Sequence, residues 1–160
     1  MKIRRATEDD YDAVWGLVKP VIREGKTYPL TRDLDQDGAM AYWFSANKTV
    51  FIAEDEDVPV GIYYIKPNNP GPGNHICNCG YVTNAQYRGQ GIASKLCEHS
   101  LEHARKTGYR GMQYNLVVST NEAAVHLWKK MGFQIVGTLP MAFQDPEAGD
   151  VEAYVMFQKL

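Results

Sequence analysis

Two glycines one residue apart, Gly89 and Gly91, separate a strand-like segment from a helix-like segment. Residues 75–83, HICNCGYVT, are apolar at both odd and even positions, which is typical of a central strand covered on both faces. From Ile92 onward, apolar residues recur at helical spacing. The first amides of a helix have no internal partner, so a strand, a glycine turn and a helix start together favour a site for phosphate or pyrophosphate.

Strand-like and helix-like segments alternate in the second half of the chain, whereas the first half contains a predicted hairpin. Strands are predicted over residues 2–5, 49–53, 60–65, 75–83, 112–118, 134–136 and 151–157. Helices are predicted over residues 7–18, 39–46, 92–107 and 119–131, and loops over residues 25–38, 66–74 and 139–150. Ser119 and Glu122 predict a capping box for the last helix, and Gly132 predicts its end.

This pattern predicts one domain over residues 1–160, of the α/β (α+β) class. We expect a mixed, mostly antiparallel sheet of about six to seven strands, with helices on both of its faces. The hydrophobic content of 44% in 160 residues suffices for one buried core and leaves little room for a second domain.

Composition excludes several classes of function. A net charge of −2 without a basic run disfavours nucleic-acid binding. No apolar stretch reaches membrane-spanning length and the N-terminus has no apolar signal segment, so we expect a cytoplasmic protein with no membrane partner. Three cysteines, Cys77, Cys79 and Cys97, are expected to be reduced, and no Cys/His spacing indicates a metal site.

Three known glycine turns that bind phosphate can be compared with residues 88–93, RGQGIA. A P-loop needs Lys and Ser or Thr where this chain has Ile92 and Ala93, and the dinucleotide fingerprint needs glycine where it has Ser94. The segment resembles the R/Q-x-x-G-x-G/A turn of the GCN5-related N-acetyltransferases. Residues 121–133, NEAAVHLWKKMGF, resemble the second signature of that family, N-x-x-A-x-x-L-Y-x-x-x-G-F. The resemblance is strong over residues 75–138.

The resemblance implies a sheet splayed at its centre and acetyl-CoA as co-substrate, without a metal. It implies that the pyrophosphate meets Arg88 and the main-chain amides of Gly89, Gln90, Gly91, Ile92 and Ala93. Main chain at Tyr81, Val82 and Thr83 would pair with the pantetheine arm, and the Asn121 side chain would lie near the thiol. The alternative for Asn121 is a helix-start residue that serves only its own backbone.

The sequence departs from the family at both usual proton-transfer positions. Trp128 stands where many members have a tyrosine that protonates the departing thiolate, and an indole N–H cannot give up a proton at neutral pH. The strand at residues 75–83 has no glutamate, and no His–Asp arrangement supports Cys77 as a nucleophile instead. Water, Tyr81, Tyr114 or the substrate ammonium remain as proton donors.

Asparagines stand inside two of the most apolar strand segments, as Asn78 and Asn115. Burying an amide without partners costs about 1–3 kcal/mol, so both need a structural or functional explanation. They could bond to each other or clamp a bulge, or they could line an acceptor cleft as catalytic residues. With Trp128, they resemble a subgroup that includes fungal acetyltransferases acting on proline analogues such as azetidine-2-carboxylate, in which the asparagines serve the acceptor.

The resemblance therefore implies an N-acetyltransferase that moves an acetyl group to the amine of a small molecule, with an amino-acid-like or cyclic imino acid acceptor as one option. The amine would attack directly in a ternary complex. The alternatives are a non-catalytic acyl-CoA-binding sensor and a peptide or protein N-acetyltransferase, and the chain could be a monomer or a homodimer. Candidate acceptor-binding residues, each also explicable by ordinary packing, are Tyr28, Trp43, His75, Asn78 and Phe143, with Tyr42 and Phe44 beside them.

Overall fold

The computed structural model describes residues 1–160, which form seven strands and four α-helices. In chain order these are β1 (Lys2–Arg5), α1 (Tyr11–Glu24), α2 (Gln36–Trp43), β2 (Thr49–Asp55), β3 (Val58–Pro67), β4 (Ile76–Thr83), α3 (Ile92–Lys106), β5 (Gly111–Val118), α4 (Glu122–Lys130), β6 (Gln134–Asp145) and β7 (Gly149–Lys159). The strands form one sheet in the order β1-β2-β3-β4-β5-β7-β6. Only β4 and β5 pair in parallel, so the predicted mixed, mostly antiparallel sheet is confirmed.

The sheet is splayed between β4 and β5. The two strands pair only where Ile76 meets Gly111 and Cys77 meets Met112. On the other edge of β5, the register with β7 is irregular between Tyr114 and Val117, which is the mark of a bulge. Beyond the paired residues, the facing edges of β4 and β5 separate, and the expected central gap is confirmed.

Two apolar clusters cover the two faces of the sheet. One packs α3 and α4 against residues such as Tyr63, Met112 and Met156. The other packs α1 and α2 against Ile52 and Ile62. All three cysteines are free and buried. No helix combines the length and apolar character that a membrane crossing would need.

Helix α4 begins at Glu122, and Asn121 is its N-cap. The Oδ1 atom of Asn121 accepts a hydrogen bond from the Ala124 amide at 3.3 Å. The predicted capping box at Ser119 is wrong, because the Ser119 amide instead donates to the Glu152 carbonyl of β7 and extends the strand pairing. The predicted helix end is confirmed: Gly132 has a left-handed φ of 97°, and the Phe133 amide donates to the Trp128 carbonyl.

The prediction of a loop over residues 139–150 is wrong, because most of that segment belongs to the long β6–β7 hairpin. Pro140 is tolerated because β6 is the edge strand of the sheet and its register is irregular between Leu139 and Phe143. Met141 adopts a left-handed φ of 51° at this bulge. Likewise, α2 begins three residues earlier than predicted, with Asp35 capping the Gly38 amide at 2.8 Å.

Candidate active site

A cleft of about 820 Å³ occupies the gap between β4 and β5. It runs from the N-terminus of α3 to the loop between α1 and α2, and it is bounded by β3 and α4. Most of the residues predicted from sequence line it: Tyr28, Asn78, Tyr81, Thr83, Arg88, Gly89, Gly91, Ile92, Ala93, Asn115, Asn121 and Trp128. No group of three or more His, Cys, Asp or Glu side chains is arranged to hold a metal ion.

One end of the cleft is an uncapped helix N-terminus. Gly89 and Gly91 have left-handed φ values of 78° and 75°, and α3 has neither a side-chain cap nor an acidic residue in its first turn. A Cβ at either glycine would meet no atom within 4 Å, so the backbone conformation, rather than crowding, demands glycine. The first amides of α3 therefore open onto the cleft beside Arg88 and can bind an anion.

The edge of β4 that faces the gap presents backbone hydrogen-bonding groups. Asn84 donates its amide to the Val60 carbonyl of β3, so the even-numbered residues of β4 are the ones that bond to β3. The backbone groups of Tyr81 and Thr83 therefore point into the gap, whereas those of Val82 do not. The Tyr81 carbonyl already accepts a hydrogen bond from the Tyr28 hydroxyl at 3.0 Å.

Asn78 lies where β4 and β5 begin to separate, and only 7% of its surface is exposed. Its Nδ2 donates to the Gln113 carbonyl of β5 at 2.9 Å, which continues the strand connection by one side chain. Its Oδ1 accepts a long hydrogen bond of 3.4 Å from the Tyr64 hydroxyl. Because this contact is weak and an amide oxygen has two lone pairs, Oδ1 retains capacity to accept a hydrogen bond from a ligand.

Asn115 differs from the prediction, because it is exposed rather than buried. The β5 bulge after Tyr114 places its side chain at the mouth of the cleft. Its Nδ2 donates to Asn68 Oδ1 at 2.7 Å, and its Oδ1 accepts from Gln113 Nε2 at 3.0 Å. Asn78 and Asn115 therefore do not bond to each other, and only Asn78 clamps the two strands.

Trp128 packs against the buried Tyr114 and the half-buried Tyr81 instead of presenting a hydroxyl. Its ring centroid lies 5.0 Å from those of Tyr81 and Tyr114. The two tyrosine hydroxyls are 2.9 Å apart, and that of Tyr81 also contacts Ser100 Oγ at 2.7 Å. Burial raises the pKa of Tyr81 and of Tyr114 well above the ordinary value of 10.0, which makes both weak proton donors.

Six predicted residues do not line the cleft: Trp43, Phe44, His75, Val82, Gln90 and Phe143. Trp43 is 1% exposed and packs behind the cleft tyrosines. His75 precedes β4 at the end where β4 and β5 remain paired, and its carbonyl accepts the Arg110 amide. Phe143 pairs with Val151 in the β6–β7 hairpin. The Gln90 amide donates to the Tyr87 carbonyl at 3.4 Å.

Sequence reasoning missed Lys48, Tyr64 and Lys66. Tyr64 and Lys66 line the cleft, and Lys48 Nζ lies 4.3 Å from the centroid of the Tyr64 ring. The signal that could have found the lysines is the register of the predicted hairpin. Thr49 pairs with Ile65, which places Lys48 opposite Lys66 at the same end of β2 and β3.

Comparison with known proteins finds a matching family model and a related protein. The family model described as Acetyltransferase (GNAT) family matches residues 14–133. The N-acetyltransferase aca1 of Schizosaccharomyces pombe is 29% identical over 151 residues, which cover 84% of this chain and 72% of that protein.

Several solved structures are similar to the whole chain, and two of them are from Kribbella flavida and Sinorhizobium meliloti. A GCN5-related N-acetyltransferase from Kribbella flavida has a TM-score of 0.94 at 32% identity, covering 99% of this chain and 97% of that one. A phosphinothricin acetyltransferase from Sinorhizobium meliloti, in complex with AcCoA, has a TM-score of 0.88 at 15% identity, covering 99% and 88%. The second likeness supports the fold alone.

Proposed function

Because this chain belongs to the GNAT family of acetyltransferases, we propose that it transfers an acetyl group from acetyl-CoA to the amine of a small molecule. The observation that carries the proposal is one continuous cleft, which joins the uncapped start of α3 to the asparagine at the strand gap. The uncapped start of α3 suits a pyrophosphate, and Asn78 at the strand gap suits an amine.

The residues at the start of α3 and along the gap fit the acyl donor. The amides of residues 89–93 and the Arg88 side chain would hold the pyrophosphate. The gap-facing backbone of Tyr81 and Thr83 would bond to the amide groups of the pantetheine arm. Asn121 uses its Oδ1 as a helix cap, so its Nδ2 is the atom available to the donor.

Acetyl-CoA supplies the acetyl group as a thioester. In the net reaction a C–N bond to the acceptor forms, the C–S bond breaks, and the proton lost by nitrogen balances the proton that the thiolate takes up. Asn78 Oδ1 would accept a hydrogen bond from the acceptor N–H and orient its lone pair. The cleft is lined by no Asp or Glu, so the acceptor would lose its proton to water or enter uncharged.

A thiol-release assay with acetyl-CoA and a panel of amino acids, imino acids, polyamines, aminoglycosides and short peptides tests this function. Asn78→Ala is expected to lower kcat/KM by about ten- to hundredfold, because it removes both the hydrogen bond to the reacting nitrogen and the clamp to the Gln113 carbonyl that positions the strand gap. Calorimetry is expected to give an unchanged Kd for acetyl-CoA. Asn74→Ala, at an exposed loop position outside the cleft, is the matched control.

The same assay separates the alternatives. Binding of acetyl-CoA without turnover of any amine would contradict the proposal and favour a sensor. Turnover of peptides alone would favour a peptide acetyltransferase. A homodimer and a cytoplasmic location stay predictions, and light scattering of the purified protein tests the first of them.

A further inference from the structure

Two lysines face each other at one end of the β2–β3 hairpin without an acidic partner. The register that pairs Thr49 with Ile65 puts Lys48 opposite Lys66, just beyond the last paired residues. Neither lysine takes part in an ion pair of the structure. Like charges directly opposite each other destabilise a sheet, so this arrangement costs free energy unless an anion joins it.

Lys66 lies at the acceptor end of the cleft, and Lys48 packs behind it against the rings of Tyr42 and Tyr64. Lys66 lines the cleft and is the register partner of Asn78, so the two side chains share one face of the sheet. The half-buried Lys48 holds Nζ 3.4 Å from the Tyr42 ring centroid and donates to the Tyr42 carbonyl. Desolvation and the charge of Lys66 lower the pKa of Lys48 to about 8.

The other charged residue that lines the cleft is also a cation. Of the 28 residues that line the cleft, the charged ones are Lys66 and Arg88, and both are cations. Arg88 lies at the α3 end, which leaves Lys66 alone at the acceptor end. Behind the three tyrosines that line this end of the cleft, Tyr28, Tyr42 and Tyr64, the Trp43 indole N–H is buried without a hydrogen-bond partner. The charge that lines the acceptor end is therefore positive.

We propose that Lys66 is a specificity-determining residue that binds a carboxylate of the acceptor, with Lys48 as the positioning residue behind it. This assignment rests on the proposed function. Lys48 orders the Tyr42 and Tyr64 rings and adds positive potential, and Lys66 makes the contact. The same potential disfavours the ammonium form of the acceptor nitrogen and disfavours acceptors with several ammonium groups, such as polyamines.

Matched acceptors test the assignment: a set of amino and imino acids, each compared with its own carboxamide by thiol release. The wild-type protein is expected to have the higher kcat/KM for the acid of each pair that turns over. Lys66→Met is expected to lower kcat/KM for acids by about ten- to hundredfold and to change that for carboxamides less than about threefold. Lys66→Arg is expected to keep the preference for acids.

Two controls separate specificity from damage. Lys2→Met makes the same charge change on the edge strand β1, outside the cleft, and is expected to alter neither substrate class. Lys66→Met is expected to have an equal or higher Tm, because it relieves repulsion from Lys48.

The outcomes distinguish this assignment from the proposed function. Equal loss on acids and carboxamides in Lys66→Met, or a wild-type preference for carboxamides or polyamines, would overturn the assignment and leave acetyl transfer standing. No turnover of any amine by the wild type would overturn both.

Discussion

Three asparagines near the cleft have different hydrogen-bond partners, and these partners determine the role of each side chain. Asn78 is almost buried and ties β4 to the Gln113 carbonyl, whereas Asn115 is turned outward by a bulge. Asn121 caps α4 with its oxygen. An amide offers both a donor and an acceptor, so Asn78 and Asn121 each satisfy a backbone group with one atom and leave the other atom for a ligand, whereas both amide atoms of Asn115 bond to side chains.

At Asn121 the observed capping role and the proposed ligand-binding role can be separated by substitution. Asn121→Asp keeps the capping oxygen and is expected to preserve Tm, but it replaces the Nδ2 donor and should raise the Kd for acetyl-CoA about tenfold. Asn121→Ala is expected to lose about 1 kcal/mol of unfolding free energy as well. Calorimetry and thermal melts measure the two effects, and equal Kd values for the Asn121→Asp variant and the wild type would leave capping as the whole role.

We expect the binding of acetyl-CoA to depend on the glycine turn before α3. Gly91→Ala places a side chain at a φ of 75°, which costs about 1–2 kcal/mol and shifts the first amides of the helix. We expect the Kd for acetyl-CoA to rise at least about tenfold, as measured by calorimetry.

Gly16 is the matched control, because it lies inside α1 and an added Cβ would meet no atom within 4 Å. Gly16→Ala is expected to stabilise the protein by up to about 1 kcal/mol and to leave the Kd unchanged. An unchanged Kd in Gly91→Ala would mean that the turn does not hold the donor.

The Tyr28 and Tyr64 side chains pack closely against β4 because residue 80 is glycine. A Cβ at Gly80 would lie 2.6 Å from Cε1 of Tyr64 and 2.8 Å from the Tyr28 hydroxyl. Gly80→Ala is therefore expected to lower the unfolding free energy by about 1–3 kcal/mol and to displace the Tyr28 and Tyr64 rings that line the cleft. Denaturant unfolding measures the first effect, and KM for the acceptor should rise while the Kd for acetyl-CoA stays constant.

At the scale of the whole molecule, an ion-pair cluster joins the N-terminal strand to its neighbours. Arg4 donates to Asp10 at 2.7 and 2.9 Å and to Glu54 of β2 at 2.6 and 3.1 Å. The hydrogen bonds from Arg4 and the Thr7 amide lower the pKa of Asp10 below 3.8, against the opposing effect of burial. The cluster fixes the start of the chain on the sheet edge, away from the cleft.

This cluster predicts a pH dependence of stability. Because the folded-state pKa of Asp10 is depressed, its contribution is present above the ordinary value of 3.8 and is lost as the pH falls through the folded-state pKa. Asp10→Asn is expected to cost about 1–2 kcal/mol at neutral pH and less in acid. Urea unfolding between pH 7 and pH 3 measures this, with Asp33→Asn in an exposed loop as control. An equal loss at every pH would contradict it.

Sequence alone determined the features that depend on neighbouring residues. The strand at residues 75–83, the turn at Gly89 and Gly91, and the helix end at Gly132 follow from periodicity and backbone dihedral preferences, which act over a few residues. Together with the two signatures, they were enough to predict the sheet, its central gap and most of the cleft lining.

Only the tertiary structure decided features that depend on register and burial. The bulge in β5 exposes Asn115, the edge position of β6 admits Pro140, and the β2–β3 register sets Lys48 against Lys66. Hydrophobic pattern does not report which segment of a strand bulges or lies at an edge, because both depend on partners distant in the chain. The end of the cleft at the glycine turn was therefore predictable as a local motif, whereas the end around Asn78 and Lys66 is assembled from separate elements.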